Sequence, residues 1–165
     1  SANDVAILIV EGIAGSVENF VSMMNEEAVK IGATNSHFMN PNGLTEDEHY
    51  VTAYDMYLIF QEALQYDLFN QIIQMTSYST VYKDSAGNDK SLEVETTNLY
   101  LKGTYDMPSN ITVIGGKTGT TNAAGHCLIL LSRSSNGTTY ISVIMKDTSR
   151  DVLYSDMTSL LSSIN

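Results

Sequence analysis

The sequence has only one cysteine and few basic residues. The first shortage excludes an internal disulfide, and the second argues against a nucleic acid partner. Cys127 cannot form an internal disulfide, so cysteine usage does not report the redox compartment. The chain carries 8 lysines and arginines against 19 aspartates and glutamates, a formal net charge of −11 at pH 7. Because so acidic a chain repels phosphate backbones, we expect no nucleic acid partner.

Metal-ligand spacing and long apolar runs are missing as well. The three histidines show no ligand spacing among themselves or with Cys127, so we expect no metal site, and we expect no cofactor. No apolar stretch is long enough to span a bilayer, and no signal peptide opens the chain. At 165 residues, of which 43% are hydrophobic, the chain can form one domain or two small lobes that share a core.

Apolar residues at helical spacing predict that residues 1–110 are mainly helical. Residues 4–14 are mostly apolar and predict a buried helix with an acidic residue at its start. Ser16 can cap a second helix that reaches about Ile31, where Gly32 is a stop signal.

A loop, two more helices and a hairpin are predicted next. Residues 35–50 have the composition of a loop, and Thr52 with Asp55 resembles a capping box that starts a third helix. A short helix is predicted near residues 69–75. Two strand-like segments flank a turn over residues 84–89 and predict a hairpin.

From residue 111 onward the pattern changes to strands followed by one helix. We expect three antiparallel strands and a closing helix, at residues 112–114, 127–132, 138–145 and 150–164. The predicted fold class is therefore α+β, with a helical lobe and an antiparallel sheet packed by a C-terminal helix.

The strongest local motif is Gly-Gly-Lys-Thr-Gly-Thr-Thr at residues 115–121, at the end of a strand-like run. The Lys117 ammonium and the Thr118 hydroxyl can hold a carboxylate, while Gly119 lets a substrate backbone lie against the strand. The alternative is a hairpin turn with an exposed lysine.

A second motif, Ser1-Ala2-Asn3, precedes the first predicted helix. A hydroxyl and an amide two residues apart could relay a proton and bind a substrate carbonyl. The alternative is simple helix capping, for which serine and asparagine are both preferred.

Together, these motifs resemble the second and third parts of the motif trio of penicillin-binding proteins and β-lactamases. The resemblance is sharpest to the serine-type, low-molecular-weight D-alanyl-D-alanine carboxypeptidases. Further matches follow in family order at residues 37–44 (His-Phe-Met-Asn-Pro-Asn-Gly-Leu), 52–56 (Thr-Ala-Tyr-Asp-Met), 97–101 (Thr-Asn-Leu-Tyr-Leu) and 117–128. The resemblance implies an incomplete DD-peptidase/β-lactamase-like fold, with residues 1–165 as the C-terminal portion of a penicillin-binding domain, divided at residues 110/111.

The resemblance also implies roles for individual residues, on opposite walls of one cleft. Ser1 would relay protons and Asn3 would bind the substrate amide carbonyl. Lys117 and Thr118 would face the C-terminal carboxylate of D-Ala-D-Ala, next to Gly119.

Two further roles follow from the same resemblance. Thr120 would give its backbone N–H to the oxyanion hole. Arg150 would reach the substrate carboxylate, and the alternative for Arg150 is an ordinary ion pair.

The nucleophile motif of the family, Ser-x-x-Lys, is missing from this sequence. The nearest approach is Thr80-Val81-Tyr82-Lys83, in a predicted strand. Acyl transfer needs a nucleophile with its base in reach, so we expect this chain alone to be inactive. The resemblance places two N-terminal strands beside residues 138–145, whose exposed edge favours a strand-swapped dimer or association with the missing N-terminal segment.

The leading functional hypothesis is therefore part of a serine D-Ala-D-Ala carboxypeptidase that trims peptidoglycan stem peptides and binds β-lactams. By resemblance it would act on the cell-wall side of the bacterial cytoplasmic membrane. The alternatives are a β-lactamase relative and a non-catalytic module that binds peptidoglycan or β-lactams.

Overall fold

The computed structural model describes residues 2–164, which divide into two compact units. The first unit comprises the chain up to Gln65 together with Thr120–Gly125. The second comprises residues 66–119 and 126–164. The fold combines helices with antiparallel sheets, which confirms the predicted α+β class.

The first unit contains three helices, α1 (Asn3–Ala14), α2 (Val17–Lys30) and α3 (Ala53–Ala63). The Ser16 hydroxyl accepts a hydrogen bond from Asn19 N across 3.2 Å, so the predicted cap of α2 is confirmed.

The prediction that the first helix is buried was wrong. In α1 only Val10 is buried, whereas Leu8, Ile9 and Ile13 are 68%, 55% and 63% exposed. Helix α1 contacts α2, but apolar residues occur on more than one of its faces, and within residues 2–65 a single neighbouring helix cannot cover them all.

The long segment before α3 is a loop, as predicted, and its first residues are hydrogen-bonded to Asp55. The loop folds back on itself through an isolated bridge between His37 and Tyr50. Thr52 Oγ1 accepts from Asp55 N across 3.0 Å, which confirms the cap of α3. The completely buried Asp55 carboxylate accepts hydrogen bonds from Asn35 N and the Ser36 hydroxyl.

The second unit contains two helices and two sheets. Its elements are α4 (Asp67–Gln74), β1 (Ser77–Lys83), β2 (Asp89–Glu95), β3 (Ile111–Thr121), β4 (Gly125–Ser134), β5 (Thr139–Asp147) and α5 (Arg150–Ser162), except that residues 120–121 of β3 and residue 125 of β4 belong to the first unit. Strands β1 and β2 form the predicted antiparallel hairpin, and the other sheet has the order β3-β4-β5.

The core of the second unit lies between the β3-β4-β5 sheet and α5. Leu128 and Leu130 of β4 and Tyr154, Met157 and Leu161 of α5 are at most 1% exposed and pack in one cluster. Burying such side chains contributes about 1.5–3 kcal/mol each. This packing fixes the sheet that carries the lysine motif.

Two further features of the structure concern membrane-spanning length and the single cysteine. Within residues 2–164 no single helix is long and apolar enough to cross a membrane. Helices α1 and α2 reach the required length and hydropathy only when taken together, and this pair is bent by 84°. Cys127 is partly exposed and not fully buried, and its Sγ accepts a weak hydrogen bond from Lys146 N.

Candidate functional site

The lysine motif lies inside strand β3, not in a turn. Strand β3 runs without interruption from Ile111 to Thr121, and the turn to β4 follows at residues 122–124. The alternative of a hairpin turn at Lys117 is therefore wrong. The sequence-based prediction ended this strand too early, because glycines interrupt the β-branched pattern at positions 115, 116 and 119.

Two of these glycines are required by close packing, and the third is not. A Cβ at Gly115 would lie 2.5 Å from the Ile73 carbonyl oxygen, and a Cβ at Gly116 would overlap the Ile129 carbonyl oxygen. A Cβ at Gly119 would meet no atom within 4 Å. Gly115 and Gly116 therefore let β3 approach α4 and β4, whereas Gly119 leaves the strand surface open.

Lys117 places a partly desolvated ammonium group beside this open surface. Its Nζ donates a hydrogen bond to the Thr118 carbonyl oxygen. Although the residue is exposed by surface area, burial around the ammonium group lowers the pKa of Lys117 from its ordinary value. A cation that has lost part of its hydration interacts more strongly with an anion than one in bulk water.

The Thr118 hydroxyl pairs with the hydroxyl of Thr97. Their Oγ1 atoms are 2.6 Å apart, and either can be the donor. Thr97 belongs to the motif at residues 97–101, which resembles the family but had no predicted role. No local pattern could have revealed the pair, because 21 residues separate its members.

The last residue of β3, Thr121, belongs to the first unit and is hydrogen-bonded there to the long loop. Thr45 Oγ1 donates to Thr121 Oγ1 across 3.0 Å, and Thr121 Oγ1 also accepts from Ala124 N across 3.0 Å. Within the loop, Asn40 Oδ1 accepts a hydrogen bond from Gly43 N, and Asn40 Nδ2 donates one to the Leu44 carbonyl oxygen. The loop that resembles the family motif at residues 37–44 is thus internally braced.

The residues of the Ser1-Ala2-Asn3 motif are only partly described. Ser1 lies outside the described residues. Asn3 is the first residue of α1, and the N-cap position is occupied by Ala2 with no side-chain cap hydrogen bond. The described residues of the motif, Ala2 and Asn3, therefore give no support to the helix-capping alternative.

Arg150 is the first residue of α5, directly after the capping Ser149. Burial raises the pKa of the Tyr154 phenol, and the nearby charge of Arg150 partly opposes that rise. In the ion pairs formed among residues 2–164, Arg150 does not take part. The roles of Asn3, Thr120 and Arg150 toward a substrate stay predictions, and so does the cleft.

Across residues 2–164, no group of three histidine, cysteine, aspartate or glutamate side chains is placed to hold a metal ion. What this part of the chain offers a ligand is the Lys117 ammonium, the paired hydroxyls of Thr118 on β3 and of Thr97, and the open surface at Gly119.

Comparison with known proteins identifies the family. The peptidase S11 family, D-alanyl-D-alanine carboxypeptidase, matches residues 1–149. The D-alanyl-D-alanine carboxypeptidase DacF of Bacillus subtilis is 36% identical over 138 residues, which are 82% of this chain and 32% of that protein.

Solved structures agree with this assignment. The D-alanyl-D-alanine carboxypeptidase DacD from Francisella tularensis is 26% identical, with a TM-score of 0.79, over 97% of this chain and 48% of that one. The Streptomyces K15 DD-transpeptidase is 25% identical, with a TM-score of 0.78, over 88% of this chain and 53% of that one. The chain therefore spans about a third of the Bacillus protein and about half of the solved chains, and it belongs to the D-alanyl-D-alanine carboxypeptidase family of S11 peptidases.

Proposed function

We propose that this chain is part of a serine D-Ala-D-Ala carboxypeptidase that removes the terminal D-Ala from peptidoglycan stem peptides. The single observation that carries the proposal is the family match over residues 1–149, which includes the Lys117-Thr118-Gly119 strand. The site of action would be the cell-wall side of the bacterial cytoplasmic membrane.

The proposed binding step uses the charge and hydroxyls of β3. The C-terminal carboxylate of D-Ala-D-Ala would contact the Lys117 ammonium and accept from the Thr118 hydroxyl. The open surface at Gly119 supports this, because a substrate backbone can lie against β3 there without meeting a side chain. Arg150 would add a second cation for the same carboxylate.

The proposed chemical step is acyl transfer to a serine. The nucleophile hydroxyl adds to the carbonyl carbon of the penultimate D-Ala, and its proton reaches the departing amine as the C–N bond breaks. Water then hydrolyses the ester. Asn3 would bind the substrate amide carbonyl, Ser1 would relay the proton, and Thr120 N–H would stabilise the oxyanion.

These 165 residues contain no Ser-x-x-Lys, so the nucleophile and its lysine would come from outside them. The full-length protein, mixed with a labelled penicillin, should form one covalent adduct per molecule by mass spectrometry. It should also release D-Ala from a peptide that ends in D-Ala-D-Ala. The 165-residue chain alone should form no adduct.

The same experiment distinguishes the second candidate function, a non-catalytic module. The binding groups of β3 would serve that candidate as well, because Lys117, Thr118 and the open surface at Gly119 can hold a carboxylate without any nucleophile. A full-length protein that binds penicillin reversibly, without an adduct and without releasing D-Ala, would be such a module. The matched variant Lys117→Ala should weaken penicillin binding in either case, because both functions use the same cation.

A further inference from the structure

We propose that Thr97 is a positioning residue, which orients the Thr118 hydroxyl so that its proton points toward the carboxylate of a ligand. This inference rests on the proposed function, since it assumes that Thr118 binds a carboxylate. The observation behind it is the 2.6 Å separation of the two Oγ1 atoms, a short distance for two neutral hydroxyls.

The direction of this hydrogen bond follows from counting protons. Each threonine hydroxyl has one proton to donate and lone pairs to accept with. A carboxylate can only accept hydrogen bonds, so a Thr118 hydroxyl that binds a carboxylate must donate its one proton to it. Thr97 must then be the donor to Thr118. A hydroxyl that accepts one hydrogen bond also becomes a better donor, because bonds in a chain polarise one another.

Thr97 is held in place from both sides. Directly before it, Thr96 N donates to the Thr76 carbonyl oxygen across 2.8 Å. Two residues after it, Leu99 N donates to the hydroxyl of the buried Tyr154 across 2.9 Å. Asn98 is buried, and its Oδ1 accepts from Tyr100 N. Thr97 itself is exposed, so its side chain is not required to fill the core.

The partner strand is equally fixed at this point. Gly115 and Gly116 bring β3 against the Ile73 and Ile129 carbonyl oxygens so closely that no side chain fits. The Thr118 hydroxyl is therefore carried by a backbone that cannot shift without disturbing α4 or β4. Two fixed backbones, each with a hydroxyl in reach of the other, form a preorganised donor pair.

The test compares a charged ligand with an uncharged one in the full-length protein. The rate of acylation by benzylpenicillin and by its methyl ester is measured for the wild type, Thr97→Val, Thr97→Ala and Thr97→Ser. We expect both hydroxyl-free variants to lose about tenfold with benzylpenicillin and less than twofold with the ester. Thr97→Ser keeps the hydroxyl and should stay within about threefold of the wild type.

The matched control is Thr96→Val. It removes the adjacent hydroxyl, which accepts from Asn98 N across 3.2 Å, but leaves the pair with Thr118 intact. The acylation rates of Thr96→Val with benzylpenicillin and with the methyl ester should fall equally or stay unchanged. Thr97→Val rates equal to the wild type, or reduced equally for both ligands, would overturn the role of Thr97. No acylation of the wild type would overturn the proposed function, and the inference with it.

Discussion

The Ser36 hydroxyl donates a hydrogen bond to the carboxylate of Asp55 across 2.7 Å, and the backbone N–H of Asn35 donates to the same oxygen across 2.7 Å. Asp55 is completely buried, and its own backbone N–H is capped by Thr52. One side chain thus connects the start of α3 to the start of the long loop. The loop carries the family motif at residues 37–44, so its position depends on this contact.

We predict that Asp55→Ala destabilises the protein by about 2–4 kcal/mol, because it removes a completely buried carboxylate that accepts from the Asn35 backbone N–H and the Ser36 hydroxyl. Ser36→Ala removes only one of the donors and should cost about half as much. Urea denaturation monitored by circular dichroism measures both. A loss below about 0.5 kcal/mol for Asp55→Ala would show that water replaces the carboxylate.

The three glycines of the lysine motif should differ in their tolerance of a methyl group. We predict that Gly115→Ala and Gly116→Ala each destabilise the fold by about 3 kcal/mol or more, since the new Cβ meets a backbone oxygen. Gly119→Ala should change stability by less than about 0.5 kcal/mol, because the space around it is open.

Gly119→Ala should nevertheless weaken ligand binding, if a substrate backbone lies against β3 there. Thermal melting separates the three variants by stability, and penicillin binding by the full-length protein measures the second effect. Equal melting temperatures for all three would contradict the packing seen around β3.

His49 should make stability depend on pH. Its Nδ1 accepts from Met39 N across 3.2 Å, which requires an unprotonated Nδ1. Burial lowers the pKa of His49 below 6.5, the charge of His37 lowers it further, and Glu46 partly opposes both. The unfolded chain therefore binds a proton at a higher pH than the folded chain does.

The sign of the effect follows from that difference. The stability contributed by neutral His49 is fully present above pH 6.5 and is lost as the pH falls through the lower folded pKa. Urea denaturation between pH 5 and pH 8 should show this loss in the wild type. In His49→Asn, whose amide oxygen can still accept from Met39 N, that part of the pH dependence should be absent.

Strand β5 should promote self-association of the 165-residue chain. Among residues 2–164 its pairing partner is β4 alone, at one edge of the β3-β4-β5 sheet, so the other side of Thr139–Asp147 is a sheet edge. We predict concentration-dependent dimers in sedimentation velocity. Val143→Lys places a charge on this edge strand, on the sheet face opposite Ile144, and should lower the dimer fraction. A monodisperse monomer at all concentrations would contradict the prediction.

Local chemistry in the sequence was enough to predict most elements of the fold. Ser16 and Thr52 mark two helix starts through side-chain caps, which depend only on residues three positions away. The hairpin of β1 and β2 follows from its turn and the flanking strand-like segments. The order of the family motifs along the chain predicted the family, which the match over residues 1–149 confirmed.

Contacts between distant residues could not be predicted in this way. The exposure of α1 depends on which neighbours cover it, and its apolar sequence indicated only that some neighbour is needed. The continuation of β3 through its glycines depends on the packing of Gly115 against α4 and Gly116 against β4. A sequence pattern gives neither the distance from Gly115 to α4 nor the distance from Gly116 to β4.

What the sequence alone determined is the set of chemical groups, most of the helices and strands that carry them, and the family to which they belong. The tertiary structure decided which groups meet: Thr97 with Thr118, Thr45 with Thr121, and Ser36 with Asp55. The physical reason is that propensities and caps act over a few residues, whereas hydrogen bonds between distant side chains depend on how whole elements pack.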